Sequence, residues 1–208
     1  MRAVVIAGIS QKQELESQGL KEGLQVNWLE EIAVVEGADC YIDLLFTKSP
    51  ERIEQLKQLQ PAFIIINDVI TTSAEIPENF VSINGWPGFL QRSIMEASCT
   101  NEAAKKTTAA IFTLFNRTTA WVPGTTGFIS ARVVSMIINE AYLTLEEGVS
   151  TKEEIDIAMK LGTNYPYGPF EWGEKIGLRN ICRLLTTMSG TDNRYQPAPV
   201  LEAACAKE

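Results

Sequence analysis

The first half of the chain alternates short β-branched and aromatic runs with polar stretches. Ala3, Val4, Val5 and Ile6 form the first run. A helix-compatible stretch follows from Gln11 to Lys21, broken at Gly23. Val26 to Leu29 and Cys40 to Phe46 read as a second and a third strand. Ser49 and Pro50 start a helix, because serine caps the free N–H groups and proline fits the first turn. Its buried stripe is Ile53, Leu56 and Leu59. Phe63 to Ile66, followed by Asn67 and Asp68, reads as a fully buried strand, and Phe80–Ile83 and Ile94–Met95 are shorter ones. Strands alternating with helices predict a parallel sheet, in which strands buried on both faces are apolar without a polar alternate.

From Asn101 onward the periodicity becomes helical. Ala103, Ala110, Ile111 and Leu114 mark a helix over Glu102 to Phe115. After the turn at 123–127, Phe128, Ala131, Val134, Ile138, Ala141 and Leu145 keep the three–four spacing of the longest helix, which ends at Gly148. Ile129, Val133 and Ile137 form a second stripe beside the first. A band that wide needs cover on two sides, as at a subunit interface. Thr151 to Glu154 is a capping box opening a helix that Gly162 is expected to end. Further helices are predicted over Pro169–Lys175 and Asn180–Met188, and 190–208 reads as irregular and partly mobile. The expected organisation is therefore α/β plus all-α, with an α/β domain over 1–100 and an all-helical domain over 101–208.

Composition narrows the function classes. The formal net charge of -8 argues against a nucleic-acid partner, which needs a basic surface. No apolar run approaches a membrane span and the N-terminal run is short for a signal peptide, so a cytoplasmic protein without membrane contact is expected. Cys40, Cys99, Cys182 and Cys205 show no metal-binding spacing and read as reduced thiols; no metal is expected. There is no histidine, which excludes a His base, a His-activated nucleophile and a His ligand. Acid–base chemistry would fall to Asp, Glu, Lys, Tyr or Cys.

One stretch carries a specific resemblance. Thr126 to Arg132, Asn139–Glu140–Ala141, Glu146 to Val149, Ile155 to Gly162, Pro166 to Glu171 and Ile176–Gly177–Leu178 resemble, in order, the start of the C-terminal domain of 3-hydroxyacyl-CoA dehydrogenases. The resemblance implies an all-helical domain that helps form an acyl-CoA cleft and dimerises, here through the 127–148 helix. The N-terminal half is similar, less closely, to a shortened Rossmann domain of that family. Glu30 takes the place of the acidic residue that holds the adenosine ribose of NAD, and Gly8 remains from the glycine loop. Asn84 and Glu96 have the spacing of the catalytic His and Glu. Arg132 and Asn139 lie in the best-matching segment, as candidate substrate-cleft residues.

The departures are as informative as the matches. The loop Ala7 to Gln13 keeps one glycine and carries β-branched Ile9 where a pyrophosphate needs close backbone approach. Asn84 replaces the His, and an amide cannot take a hydroxyl proton. Ala131 stands where the family has a carbonyl-contacting Asn, Gly124 replaces an Asp, and Val69 or Ile70 falls at a Ser position. Each site residue also has a structural reading. Glu96 could be an ordinary strand-end carboxylate, Asn84 a turn residue before Gly85, and Glu30 a solvated group. Arg132 could pair internally, and Asn139 and Glu140 could satisfy neighbouring loops. Three functions follow: a non-catalytic relative binding an acyl-CoA-like or other small ligand, a residual NAD-dependent oxidoreductase acting on a 3-hydroxyacyl-CoA or similar substrate with Glu96 or a Tyr as base, or a structural dimerisation module. Only the second needs a cofactor.

Overall fold

A computed structural model describes residues 1–208, which form two compact units, Met1–Phe128 and Ile129–Glu208. The first unit is built on a seven-stranded sheet. Its strands are β1 (Arg2–Ile6), β2 (Gln25–Leu29), β3 (Cys40–Asp43), β4 (Phe63–Asn67), β5 (Phe80–Ile83), β6 (Ile94–Ser98) and β7 (Thr118–Trp121). The order across the sheet is β2-β1-β3-β4-β5-β6-β7. All neighbours run parallel except β6, which is antiparallel to β5. Three helices complete the unit: α1 (Ile9–Glu16), α2 (Pro50–Lys57) and α3 (Glu102–Leu114).

The sheet is covered on both faces, which explains its unbroken apolar strands. On one face Val5, Ile42, Ile65 and Val81 pack with Leu15, Ile111 and Phe112. On the other, Val4, Ile6, Tyr41, Ile64, Ile66 and Phe80 pack with Leu56 and Leu59. Helix starts follow local chemistry. Ser49 Oγ accepts from the Arg52 N–H at 3.2 Å, and Asn101 Oδ1 accepts from the Ala104 N–H at 2.9 Å.

The second unit is helical: α4 (Ser130–Glu146), α5 (Lys152–Thr163), α6 (Pro169–Ile176), α7 (Leu178–Ser189) and α8 (Pro199–Cys205). Thr151 caps α5 as expected, but the helix runs past Gly162 to Thr163 and closes on Asn164 in the left-handed conformation. No helix is long and apolar enough to cross a membrane.

Three expectations are corrected. The division falls at Phe128/Ile129 rather than near residue 100, because α3 packs on the sheet and β7 extends it beside β6. Residues 190–208 are ordered: Tyr195, Ala198, Leu201 and Cys205 are buried, and the Glu208 carboxylate accepts the Leu178 and Arg179 N–H groups, both at 3.1 Å. Cys182 and Cys205 are not free thiols but form a disulfide between α7 and α8; Cys40 and Cys99 are free. Burial pushes both free thiols up from their ordinary range.

Candidate functional site

In an open parallel sheet, ligands bind outside the carboxyl ends of the strands, where loops rather than ladders use the backbone groups. Here that edge carries Gly8 after β1, Glu30 after β2, Leu44 after β3, Asp68 after β4 and Asn84 after β5. β6 runs the other way, so Glu96 reaches the same level from mid-strand: the Asn84 N–H donates to the Glu96 carbonyl at 3.0 Å.

Side-chain amides tie this edge together. The Gly8 N–H donates to Gln11 Oε1 at 3.0 Å, and Gln11 Nε2 donates to the Leu44 carbonyl at 2.8 Å. Asn67 Nδ2 donates to the same carbonyl at 3.3 Å, while its Oδ1 accepts the Gly85 N–H at 2.9 Å. Gly85 is required here, since a Cβ would lie 2.9 Å from Asn67 Cγ. Next to it, Asn84 Nδ2 donates to Glu96 Oε2 at 3.0 Å, both residues being buried. The pair noted from sequence spacing is thus a direct contact, and Asn84 is held by a side chain as well as by its position before a glycine.

The two NAD candidates lie on adjacent strands. Ile6 pairs with Leu29, and the Ala7 N–H donates to the Leu29 carbonyl at 2.9 Å, so Gly8 and exposed Glu30 both leave the sheet at this end. Gly8 has φ of -78°, and a Cβ there would meet nothing closer than 3.8 Å. The fold itself therefore does not demand glycine at this position. The Gly8 N–H is nevertheless spent on Gln11, and Ile9 heads α1, so the cradle does not fit a pyrophosphate as it stands.

The candidates of the second unit are engaged within it. Arg132 stacks over the Tyr195 ring at 5.5 Å and its Nη1 lies 3.5 Å from the Tyr195 hydroxyl. Buried Asn139 uses both ends of its amide: Nδ2 donates to the Gln196 carbonyl at 3.1 Å and Oδ1 accepts the Ala198 N–H at 2.7 Å. No group of three or more His, Cys, Asp or Glu side chains is placed to hold a metal ion.

Sequence reasoning missed three features. Gln11, read as a helix residue, organises the α1 terminus. Asp68 and Ser82 are buried with side-chain oxygens that have no partner. Asp43, fully buried as the last residue of β3, receives a two-pronged bond from Arg52, Nε to Oδ2 and Nη2 to Oδ1, both at 2.7 Å. The signal for the last was an Asp ending an apolar strand just ahead of a capped helix.

A Rossmann-like sheet followed by a helical unit defines a class of protein, and comparison places the chain within it. A family profile described as "3-hydroxyacyl-CoA dehydrogenase, C-terminal domain" matches residues 127–208. Over that segment the chain is similar to the 3-hydroxyacyl-CoA dehydrogenase family. It is 46% identical over 77 residues to the 3-hydroxyadipyl-CoA dehydrogenase of Escherichia coli K12, covering 36% of this chain and 16% of that protein. It is 28% identical over 184 residues to a 3-hydroxybutyryl-CoA dehydrogenase of Bradyrhizobium diazoefficiens, covering 79% of this chain and 62% of that one. The chain thus spans less than two thirds of the length of these relatives. The crystal structure of (S)-3-hydroxybutyryl-CoA dehydrogenase from Ralstonia eutropha superposes with a TM-score of 0.76 at 18% identity, over 99% of this chain and 93% of that one, a likeness of fold.

Proposed function

We propose that this protein is a non-redox relative of the 3-hydroxyacyl-CoA dehydrogenases that binds an acyl-CoA-like ligand without oxidising it. The observation that carries the reading is the buried Asn84–Glu96 contact. General-base catalysis needs a group able to accept a proton near neutral pH. The Asn84 nitrogen is an amide donor, already committed to the carboxylate beside it. The Gln11 amide over Gly8 supports the same reading, because it takes the backbone N–H that a cofactor phosphate would use.

A second reading has one observation in its favour. Gly8 is a glycine that its own fold does not require, one strand from Glu30, as a dinucleotide site would have it. One pair of measurements decides. NADH titrated into the full chain, followed by tryptophan fluorescence, is expected to give no saturable signal at millimolar concentration. 3-Hydroxybutyryl-CoA with NAD is expected to give no turnover. Turnover that Glu96→Gln abolishes would establish the oxidoreductase instead.

We also infer that the chain is a homodimer through α4. Ile129 and Val133 lead that helix with 58% and 49% of their surface exposed, more than isolated surface apolar residues need explain. Sedimentation velocity is expected to give a dimer, and Val133→Glu a monomer that keeps its helix content. A monomeric parent chain sinks this inference. Dimerisation with no thioester binding at all would favour the structural module.

A further inference from the structure

The last helix of the second unit is held by little packing. α8 has seven residues, with Pro199 in its first turn and two buried side chains, Leu201 and Cys205. A helix that short does not persist in water on its own, so its contacts must hold it. It lies against α7 and α4. Two ties fix it there. The disulfide joins Cys205 to Cys182 on α7 across a sequence separation of 23. The exposed Glu208 carboxylate accepts the Leu178 and Arg179 N–H groups at the start of α7, at 3.1 Å each. That second tie is a surface contact with which water competes.

The chain just before α8 is held differently. Tyr195 and Ala198 are buried, and Asn139 on α4 grips the backbone on both sides of Pro197, through the Gln196 carbonyl at 3.1 Å and the Ala198 N–H at 2.7 Å. No sulfur takes part in this grip. A boundary therefore falls between Ala198 and Pro199, with amide and ring contacts before it and the disulfide after it. The sulfurs have a place for either oxidation state. Cys205 Sγ lies 3.2 Å from the Leu178 carbonyl oxygen, and Cys182 Sγ lies 3.9 Å from that of Leu201. A disulfide sulfur has no proton to give these acceptors, whereas a thiol has, as a weak donor. Cys182 is half-buried and is the more approachable of the two, since Cys205 is buried.

We propose that the Cys182–Cys205 disulfide is a reversible latch, through which a dithiol reductant frees α8 while the Asn139 grip stays closed. A thiolate of the reductant attacks Cys182 Sγ. The bond to Cys205 breaks, and its electron pair leaves on Cys205 Sγ, which takes a proton from water. The second thiolate of the reductant then attacks the mixed disulfide, and Cys182 leaves as a thiolate that takes a second proton. The reductant departs as its own disulfide, having passed two electrons to the protein. The covalent tie gives way to two weak S–H contacts, and Leu201 becomes open to solvent. A disulfide oxidant reverses the sequence, because a docked α8 brings both thiols side by side.

Hydrogen exchange of the full chain, read by mass spectrometry before and after treatment with dithiothreitol, tests the latch. After reduction, the amides of 200–207 are expected to exchange at least about tenfold faster, while α4 and the Ala198 amide keep their protection. Re-oxidation with glutathione disulfide is expected to restore slow exchange. Cys182→Ser is expected to exchange at the fast rate with or without the reductant. Unchanged exchange over 200–207, once the mass shows both thiols free, overturns the proposal, since packing and Glu208 then hold α8 unaided. Equal acceleration across α4, α7 and α8 also overturns it, because the disulfide is then a staple of the whole unit. So does a disulfide that survives excess dithiothreitol in the native chain. The reduced parent chain decides each of these outcomes even if Cys182→Ser fails to fold.

Discussion

Arg52→Ala lowers the stability of the folded chain by about 3–5 kcal/mol, as breaking one side of a buried ion pair does. Asp43 has no exposed surface and sits at the end of a central strand. Its carboxylate takes Nε and Nη2 of Arg52 at 2.7 Å each, and its Oδ1 also accepts the Leu45 N–H at 3.1 Å. The hydrogen bond that Arg52 donates to the Asp43 carboxylate raises the Arg52 pKa above its ordinary value. Removal of the guanidinium strands a charge away from water, so the cost exceeds the loss of one surface contact. Arg52→Lys keeps the charge and loses the planar fork, and its loss is expected to be smaller. The double change Asp43→Leu with Arg52→Leu removes the stranded charge along with the pair and is expected to cost less than Arg52→Ala alone. Urea unfolding followed by circular dichroism measures all three. A double variant at least as unstable as Arg52→Ala would show that the cost lies in packing rather than in an orphaned carboxylate.

This pair shows where sequence reading stops. The strand starting at Cys40 and the helix opened by Ser49 were both legible, since each follows from local rules of burial and capping, although the strand was read on to Phe46 and ends at Asp43. The bond between them was not, because nine residues of chain set the separation and only the fold sets the direction. The same holds for β7. Thr118–Trp121 is a four-residue edge strand with no fully buried position, so it lacks the apolar run by which central strands are recognised. Without it, the helical period of α3 looks like the start of a new domain, which is why the boundary was placed too early. Cys182 and Cys205 carry no spacing motif, and it is the packing of α8 on α7 that joins them. The Asn84–Glu96 relation was legible in its spacing, through the resemblance to a family, while the local reading of Asn84–Gly85 pointed to a turn. Asp68 and Ser82 left no signal in sequence, since what marks them is a missing partner in three dimensions.

Gly168→Ala in the second unit is expected to destabilise it by about 3–5 kcal/mol, through overpacking and the loss of hydrogen bonds to a charge. Backbone strain is not the cause. Gly168 has φ of -72° and ψ of 167°, an extended conformation open to any residue. The cause is Asp156, which is buried on α5 and accepts the Phe170 N–H at 2.8 Å and the Glu171 N–H at 3.1 Å. A carboxylate from one helix thereby closes the first turn of the next, where free N–H groups and the helix dipole both favour an anion. A Cβ on Gly168 would lie 2.3 Å from the Asp156 carboxyl carbon, so the methyl group and the cap cannot coexist. Gly162 is the counterexample in the same unit. It lies inside α5 with nothing within 4 Å of an added Cβ, so Gly162→Ala should stabilise by about 0.5–1 kcal/mol. Two glycine-to-alanine changes six positions apart are thus expected to move the melting temperature in opposite directions. If Gly168→Ala melted with the parent chain, Asp156 would not be the residue that ties α6 to α5. If it melted early while Asp156→Ala melted with the parent, the methyl group would be at fault and the cap would count for little.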